Sequence, residues 1–508
     1  MTDSTSKAQP QALSLQPVWS ASALAAATHG TWHGLSTTVE SEFNVARIIS
    51  NTRQIVAGDA FLALIGERFD AHNFVADAVQ QGATAVIVSR LLPDVSIPQL
   101  LVDDTRLALG RLGAARRASC AGLTTVALTG SSGKTTTKEM LGSILRTHTG
   151  VASEVLVTRG NLNNDLGVPM MLLELTPEHR YAVMELGANH VGEIAYTTAM
   201  VTPRVAGVLN IGTAHVGEFG GREGIARAKS EIFQGLPANG IAIIPATGDF
   251  HEVIAAAANA FTAIRFGGDH SNSDVYATDI SLLPAESQFI LHHGTDQINV
   301  TLPFAGAHNV DNALAAAAFA LALGLDLSTI AAGLGQAPGT KGRLNFIRHV
   351  LPDTQLTLID DTYNANPHSM RAAAQVLIAQ TGIRALVLGD IGELGESAAA
   401  EHRALGLDLV QMPVDAIFAV GEYAAALAPE QSATGVQTQA FADKAQLLSA
   451  LADWLKAKRQ TAAGTPINIL FKGSRFMQME SLIAGLEAEL NPDLPLNHPT
   501  AHPVAETH

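Results

Sequence analysis

Short, nearly continuous apolar runs recur along this chain, most of them closed by a glycine or a polar residue. Examples are Ala85–Val88, Thr124–Leu128, Tyr181–Met184, Val205–Leu209 and Ile241–Ile244. Longer stretches of mixed polarity separate them. Runs of four or five residues rich in Val, Ile and Ala, alternating with helix-length segments, predict parallel β-strands wound with helices. The pattern repeats after residue 350 in Leu356–Asp360, Arg384–Leu388, Ala416–Val420 and Ile467–Phe471. Each of these ends in Gly, Asp or Lys, where open α/β sheets hold their ligands. From Val275 to Pro303 the pattern predicts a small β excursion, and Ala313–Leu325 predicts an Ala-rich helix packed on all sides.

Two breaks divide the chain. One precedes the run at Thr124; the other is the Gly/Pro-rich stretch Ala337–Gly342. With 508 residues, too many for one core, the expected division is 1–104, 105–338 and 339–490. Residues 491–508, rich in Pro and His, read as a disordered tail.

A formal charge of −16 argues against a nucleic-acid partner, which calls for a concentrated basic face. It leaves room for an anionic ligand held by a few placed donors. The apolar run at Ala313–Leu325 is too short to span a bilayer, so no membrane insertion is expected. One cysteine, Cys120, excludes an internal disulfide, and the polar opening MTDSTSKAQPQ carries no secretory core. A cytoplasmic location is the expectation.

The strongest local signal is Leu128-Thr129-Gly130-Ser131-Ser132-Gly133-Lys134-Thr135-Thr136, directly after a β run. Glycines allow a tight turn with N–H groups aimed at phosphate oxygens. Lys134 would reach the β- and γ-phosphates, and the Thr135 hydroxyl stands where it can touch Mg2+. A helix opening near Lys134 adds its positive end. The full phosphate-loop pattern has glycine where this chain has Leu128, so the cradle is a shortened one. A plain Gly/Ser turn is the bland alternative.

Gly130 to Thr136 resembles the shortened phosphate loop of the Mur ligases and the related folylpolyglutamate synthetases. The resemblance extends downstream. It implies that Glu185, in Met184-Glu185-Leu186-Gly187, and His215, after Asn210-Ile211-Gly212, ligate Mg2+ with Thr135. It implies too that Lys229 is carbamylated, its cation turned into an anion that bridges to the metal. Asn309 and Asn312, in His308-Asn309-Val310-Asp311-Asn312, are similar to the family's adenine-side asparagines, and one of them is also expected to cap its helix. Arg343 and Asp361 match the pair through which the third domain closes over ATP.

The stretch Asp360-Asp361-Thr362-Tyr363-Asn364-Ala365-Asn366-Pro367 resembles the branch of the family that joins D-alanyl-D-alanine to UDP-N-acetylmuramoyl-tripeptide. Asn364, Asn366 and Lys472 are candidates for the dipeptide pocket. Ser50-Asn51-Thr52-Arg53 and Gly58-Asp59-Ala60-Phe61 resemble a UDP-sugar-binding domain, with Thr52 and Arg53 as candidate contacts; the family usually has aspartate at Asn51. The implied fold is a three-domain α/β architecture with a central phosphate-loop ATPase domain and a C-terminal Rossmann-like domain. The implied chemistry is ATP-driven amide formation through an acyl phosphate, by a monomer using small-molecule substrates, ATP and Mg2+. Rival readings are a sister amide ligase, or a phosphate-loop ATPase that makes no bond.

Overall fold

The computed structural model describes residues 18–36, 41–66, 69–212, 219–429 and 435–490. The expected tail and His215 lie outside the described residues. Three large sheets follow one another along the chain. In the first, five strands lie in the order Thr31–His33, Gln99–Leu101, Ala85–Val88, Ala60–Leu62, Ile48–Ile49, all parallel except the first pair.

The second sheet has nine strands. Its parallel part runs Val155–Val157, Tyr181–Glu185, Thr124–Thr129, Val205–Val208, Ile241–Pro245, Thr262–Phe266. Thr124–Thr129 comes first of these in the chain yet lies between Tyr181–Glu185 and Val205–Val208. The strand order therefore reverses at this strand, which opens a crevice at its carboxyl end. The expected β excursion, Val275–Leu282 with Ser287–His293 and Asp296–Leu302, is continuous with this sheet rather than separate from it.

Alternation along each strand feeds two cores. Val126, Leu128 and Val183 face the helices Lys134–Thr149, Ala307–Ala322 and Leu327–Gly335. Ala127, Ala182 and Met184 face the other side, against Gly167–Leu173, Glu193–Val201 and Arg222–Ser230. Burial on both faces is why these strands read as unbroken apolar runs. Ala313 to Ala320 are all buried, and their small side chains let the helix lie close on the sheet. Gly207 completes that approach: a β-carbon there would stand 2.7 Å from the Phe319 ring and 2.7 Å from Ile243 Cβ.

The third sheet has six strands, Asn345–Val350, Gln355–Asp361, Ile467–Lys472, Ile383–Gly389, Ala416–Val420, Gln437–Phe441, parallel except the first pair. Its two edge strands escaped the sequence pattern because both mix polar with apolar residues and are half-exposed. The helix Thr105–Ser119 joins the first two units: Ala108, Leu109 and Leu112 share a core with Trp19, Leu24 and Leu100, and also with Leu173.

Gly207→Ala should destabilise the protein by about 1–3 kcal/mol through overpacking. Urea unfolding followed by circular dichroism checks this; an unchanged midpoint would show that sheet and helix can separate without cost.

Candidate active site

The strand Thr124–Thr129 delivers its chain into the glycine loop, and the helix Lys134–Thr149 starts at once. Gly133 has φ +78°, a conformation that glycine adopts without strain, and Asn312 Oδ1 lies 2.2 Å from where its β-carbon would be. The loop is latched by Asn210 at the end of the neighbouring strand. Its Oδ1 accepts from Ser132 N at 3.0 Å, its Nδ2 donates to Ser132 O at 3.1 Å, and its carbonyl accepts from Ser131 N at 3.1 Å.

Inside the loop Lys134 Nζ donates to Gly130 O at 2.8 Å. The residue keeps some exposure, yet desolvation of its ammonium pulls its pKa below the usual lysine range. Glu185 opposes that shift and Arg343 adds to it. The Thr135 hydroxyl donates to Glu185 Oε2 at 3.1 Å and accepts from Arg343 Nη2 at 3.1 Å. Glu185 is 2% exposed, and its other oxygen accepts from Asn163 Nδ2 at 2.7 Å. Two polar atoms on these walls, Ser131 Oγ and Arg343 Nε, are buried without a hydrogen-bond partner. Such donors suit an anion, and a phosphate chain is the anion a glycine loop receives.

Lys229 sits near the end of the helix Arg222–Ser230 and is 3% exposed. Burial, with the Lys134 charge adding to it, pulls its pKa down to about 7. Its amine is therefore far easier to deprotonate near neutral pH than that of an exposed lysine. Among the described residues no three His, Cys, Asp or Glu side chains converge as a metal site. The oxygens of Thr135 and Glu185 are hard donors of the kind Mg2+ takes, and they fit that ion.

From the third unit, the hinge Gly342-Arg343-Leu344 is tied to the strand end beside it. Asp360 Oδ2 accepts from Gly342 N at 3.1 Å and Asp361 Oδ1 from Leu344 N at 3.2 Å. The Arg343 guanidinium lies over the Tyr363 ring, 4.4 Å from its centroid. Asp361 pairs with the buried Lys472 at 2.6 Å, and Lys472 also donates to Asn364 O at 2.9 Å. The third unit thus brings Arg343 to the glycine loop itself.

The family description "Mur ligase middle domain" matches residues 128–320, and "Mur ligase, glutamate ligase domain" matches residues 342–475. UDP-N-acetylmuramoyl-tripeptide--D-alanyl-D-alanine ligase of Escherichia coli K12 is 44% identical over 447 residues, 88% of this chain and 95% of that protein. The chain belongs to the Mur ligase family. A crystal structure of MurF from Acinetobacter baumannii is 53% identical, with a TM-score of 0.84 over 93% of this chain and 99% of that one. MurF ligase from Thermotoga maritima, solved in complex with ADP, is 26% identical, with a TM-score of 0.73 over 88% and 98% of the two chains.

Against this Mur ligase framework, the structure brings Lys134, Thr135, Glu185, Asn312 and Arg343 together at the loop. Thr136 is buried in the first turn of the loop's helix. The expectation that Asn309 or Asn312 caps its helix is corrected. Gly306 is the cap residue and makes no side-chain capping bond. Asn309 instead donates to Ala305 O at 2.8 Å, and Asn312 Nδ2 donates to Asn309 Oδ1 at 3.1 Å, because each side chain is turned inward. In the third unit Asn366 is engaged in a capping box with Ser369, and Asn364 is exposed. Thr52 and Arg53 stand on a short helical turn that the Asn51 side chain caps, at 3.1 Å from Arg53 N. Below that turn Arg47 Nε and Nη2 grip the fully buried Asp59 at 2.9 and 2.6 Å.

Sequence reasoning passed over Asn163, Asn210 and Lys138. The run Asn161-Leu162-Asn163-Asn164 between a strand and a helix was the available signal for the first.

Replacing Asn210 with alanine should raise the KM for ATP about tenfold or more. The loop loses the three side-chain bonds to Ser132, from its N and Oγ to Oδ1 and from Nδ2 to its carbonyl, and keeps only the backbone bond to Ser131. Steady-state kinetics with varied ATP checks this. An unchanged KM would mean that the loop holds its shape without the latch.

Proposed function

We propose that this chain performs the reaction its relatives are named for, the ATP-driven joining of D-alanyl-D-alanine to UDP-N-acetylmuramoyl-tripeptide. The observation that carries the reading is the match of nearly the whole chain to such ligases, with Tyr363, the first residue of Tyr363-Asn364-Ala365-Asn366-Pro367, under the Arg343 guanidinium that reaches Thr135. The sister-ligase and bare-ATPase readings lose ground on the same observation.

A free carboxylate must be activated before an amine can displace oxygen from it. In the proposed sequence the tripeptide carboxylate attacks the γ-phosphorus of ATP, giving an acyl phosphate and ADP. The dipeptide amine then adds to the carbonyl, and the tetrahedral intermediate expels phosphate. Phosphoryl transfer asks mainly for positioning and charge. Lys134 from the loop and Arg343 from the third unit supply positive charge, with Gly130, Ser131, Ser132, Gly133, Thr135 and Thr136 around the phosphates. Asn309 and Asn312 stand on the nucleotide side, and Asp361 holds the hinge that presents Arg343. Mg2+, held by Thr135, Glu185, His215 and carbamylated Lys229, would neutralise phosphate charge. Thr52 and Arg53 bind the nucleotide sugar, and Asn364, Asn366 and Lys472 flank the dipeptide.

Three domains, 1–104, 105–338 and 339–490, with a cytoplasmic monomer as the working form, complete the reading. No described helix is long and apolar enough to cross a membrane.

The buried amine of Lys229 is what supports its carbamylation, since CO2 adds only to a neutral amine. With its pKa near 7, the amine protonates and is lost to CO2 as pH falls through neutrality, and becomes available above it. Activity should therefore rise with pH across this region, fall in CO2-depleted buffer, and return with bicarbonate. In Lys229→Ala, added short carboxylic acids should restore part of the activity. Indifference to CO2 together with no rescue would remove the carbamate from the account.

The reading as a whole is tested by ADP and phosphate release from Mg-ATP with the UDP-tripeptide and a panel of amines. Release that depends on D-alanyl-D-alanine, with a UDP-pentapeptide product by mass, is the expected result. Release indifferent to the amine would mark an ATPase. Lys134→Ala should cost about 3–4 kcal/mol of transition-state stabilisation in the same assay, whereas near-normal turnover would undo the assignment of the loop.

A further inference from the structure

One charged side chain has no place in this chemistry and is nonetheless buried completely. Lys138, one turn beyond Lys134 on the same helix, is 0% exposed. Its ammonium donates to the carbonyl of Thr158 and, at 3.4 Å, to that of Gly160. It stands 3.7 Å from Glu185 Oε2 and 3.8 Å from Glu139 Oε1. Glu139 keeps contact with solvent, its side chain 24% exposed, while Glu185 has almost none. Among the described residues, Lys138 is the one lysine or arginine within 4.0 Å of the Glu185 carboxylate.

A lysine taken wholly out of water is strongly unfavourable unless charge and hydrogen bonds compensate it, and the same holds for the buried Glu185. Each answers the other's charge. We propose that Lys138 is the resident countercharge of the metal-free site, neutralising Glu185 until a divalent cation arrives and weakening the hold of that carboxylate on the cation. The proposal rests on the reading of Glu185 as a cation ligand.

Geometry separates this role from plain packing. The two carbonyls fix the ammonium, so it does not withdraw when a cation approaches Glu185. Asn163 and Thr135 fix the carboxylate from its other sides. A divalent ion at Glu185 thus meets a stationary positive charge a few ångströms away, in a site with little water to screen it. The phosphates of ATP bring the negative charge that offsets this repulsion. Metal and nucleotide then bind strongly only together, and the empty enzyme does not load a cation that would bar the phosphates' correct seating.

The test is the Mn2+ affinity of the nucleotide-free full-length protein, read by electron paramagnetic resonance as loss of the free-ion signal. In Lys138→Met, Mn2+ should bind about tenfold more tightly or better than in the wild type. Lys138→Gln, which keeps donors for the Thr158 and Gly160 carbonyls while removing the charge, should do the same, and it decides the matter if the methionine variant fails to fold. Glu185→Gln should abolish the gain in either background. An affinity unchanged or weakened in the charge-removing variants would overturn the proposal and leave Lys138 as a staple for the Thr158–Gly160 segment. Mn2+ binding that survives Glu185→Gln would overturn the reading of Glu185 as a ligand, and this proposal with it.

Discussion

Three distant parts of the chain meet at the hydroxyl of Thr135. It donates to Glu185 from the neighbouring strand and accepts from Arg343 of the third unit. A threonine hydroxyl has one proton and two lone pairs, so both bonds can be made at once only if strand, loop and hinge are all in register. The switch in strand order puts Glu185 beside the glycine loop. The ties of Gly342 and Leu344 to Asp360 and Asp361 aim Arg343 at it. The site is therefore a property of the assembled domains rather than of the loop alone.

Charge balance is the second constraint. Lys134, Lys138, Lys229 and Arg343 crowd one region, with Glu185 as a buried carboxylate among them. Burial of Lys229 and of the Lys134 ammonium pulls both pKa values down, so the region resists carrying its full positive charge. Anionic phosphates relieve that crowding on arrival. Clusters of titratable groups shifted by burial and by one another concentrate at functional sites, where chemistry needs such shifts.

Much of this was legible in the residues. The strands buried on both faces wrote themselves as apolar runs, and the glycine loop's chemistry follows from its letters. The edge strands Asn345–Val350 and Gln437–Phe441 did not show, since half-exposed edges carry mixed polarity. Lys138 was illegible for a different reason. On a helix among polar neighbours a lysine reads as solvated, and the Thr158–Gly160 segment that receives its ammonium is what makes it a core residue. Asn309 and Asn312 were misjudged in part because capping is a local rule, while their actual partners are Ala305, one another and the loop across the crevice. Spacing finds residues that act on their own segment; it does not find those that act on a neighbour brought close by topology.

The account stands on transfer of the γ-phosphoryl group to a carboxylate at the junction of the glycine loop and Arg343. The most direct measurement uses UDP-tripeptide labelled with oxygen-18 in its terminal carboxylate, followed by mass analysis of the phosphate released during one turnover. Passage through an acyl phosphate carries a carboxylate oxygen into inorganic phosphate, so labelled phosphate should appear in step with amide product. Unlabelled phosphate alongside the same product would contradict the account, because the carboxylate would then have been activated by some route other than phosphorylation at this site.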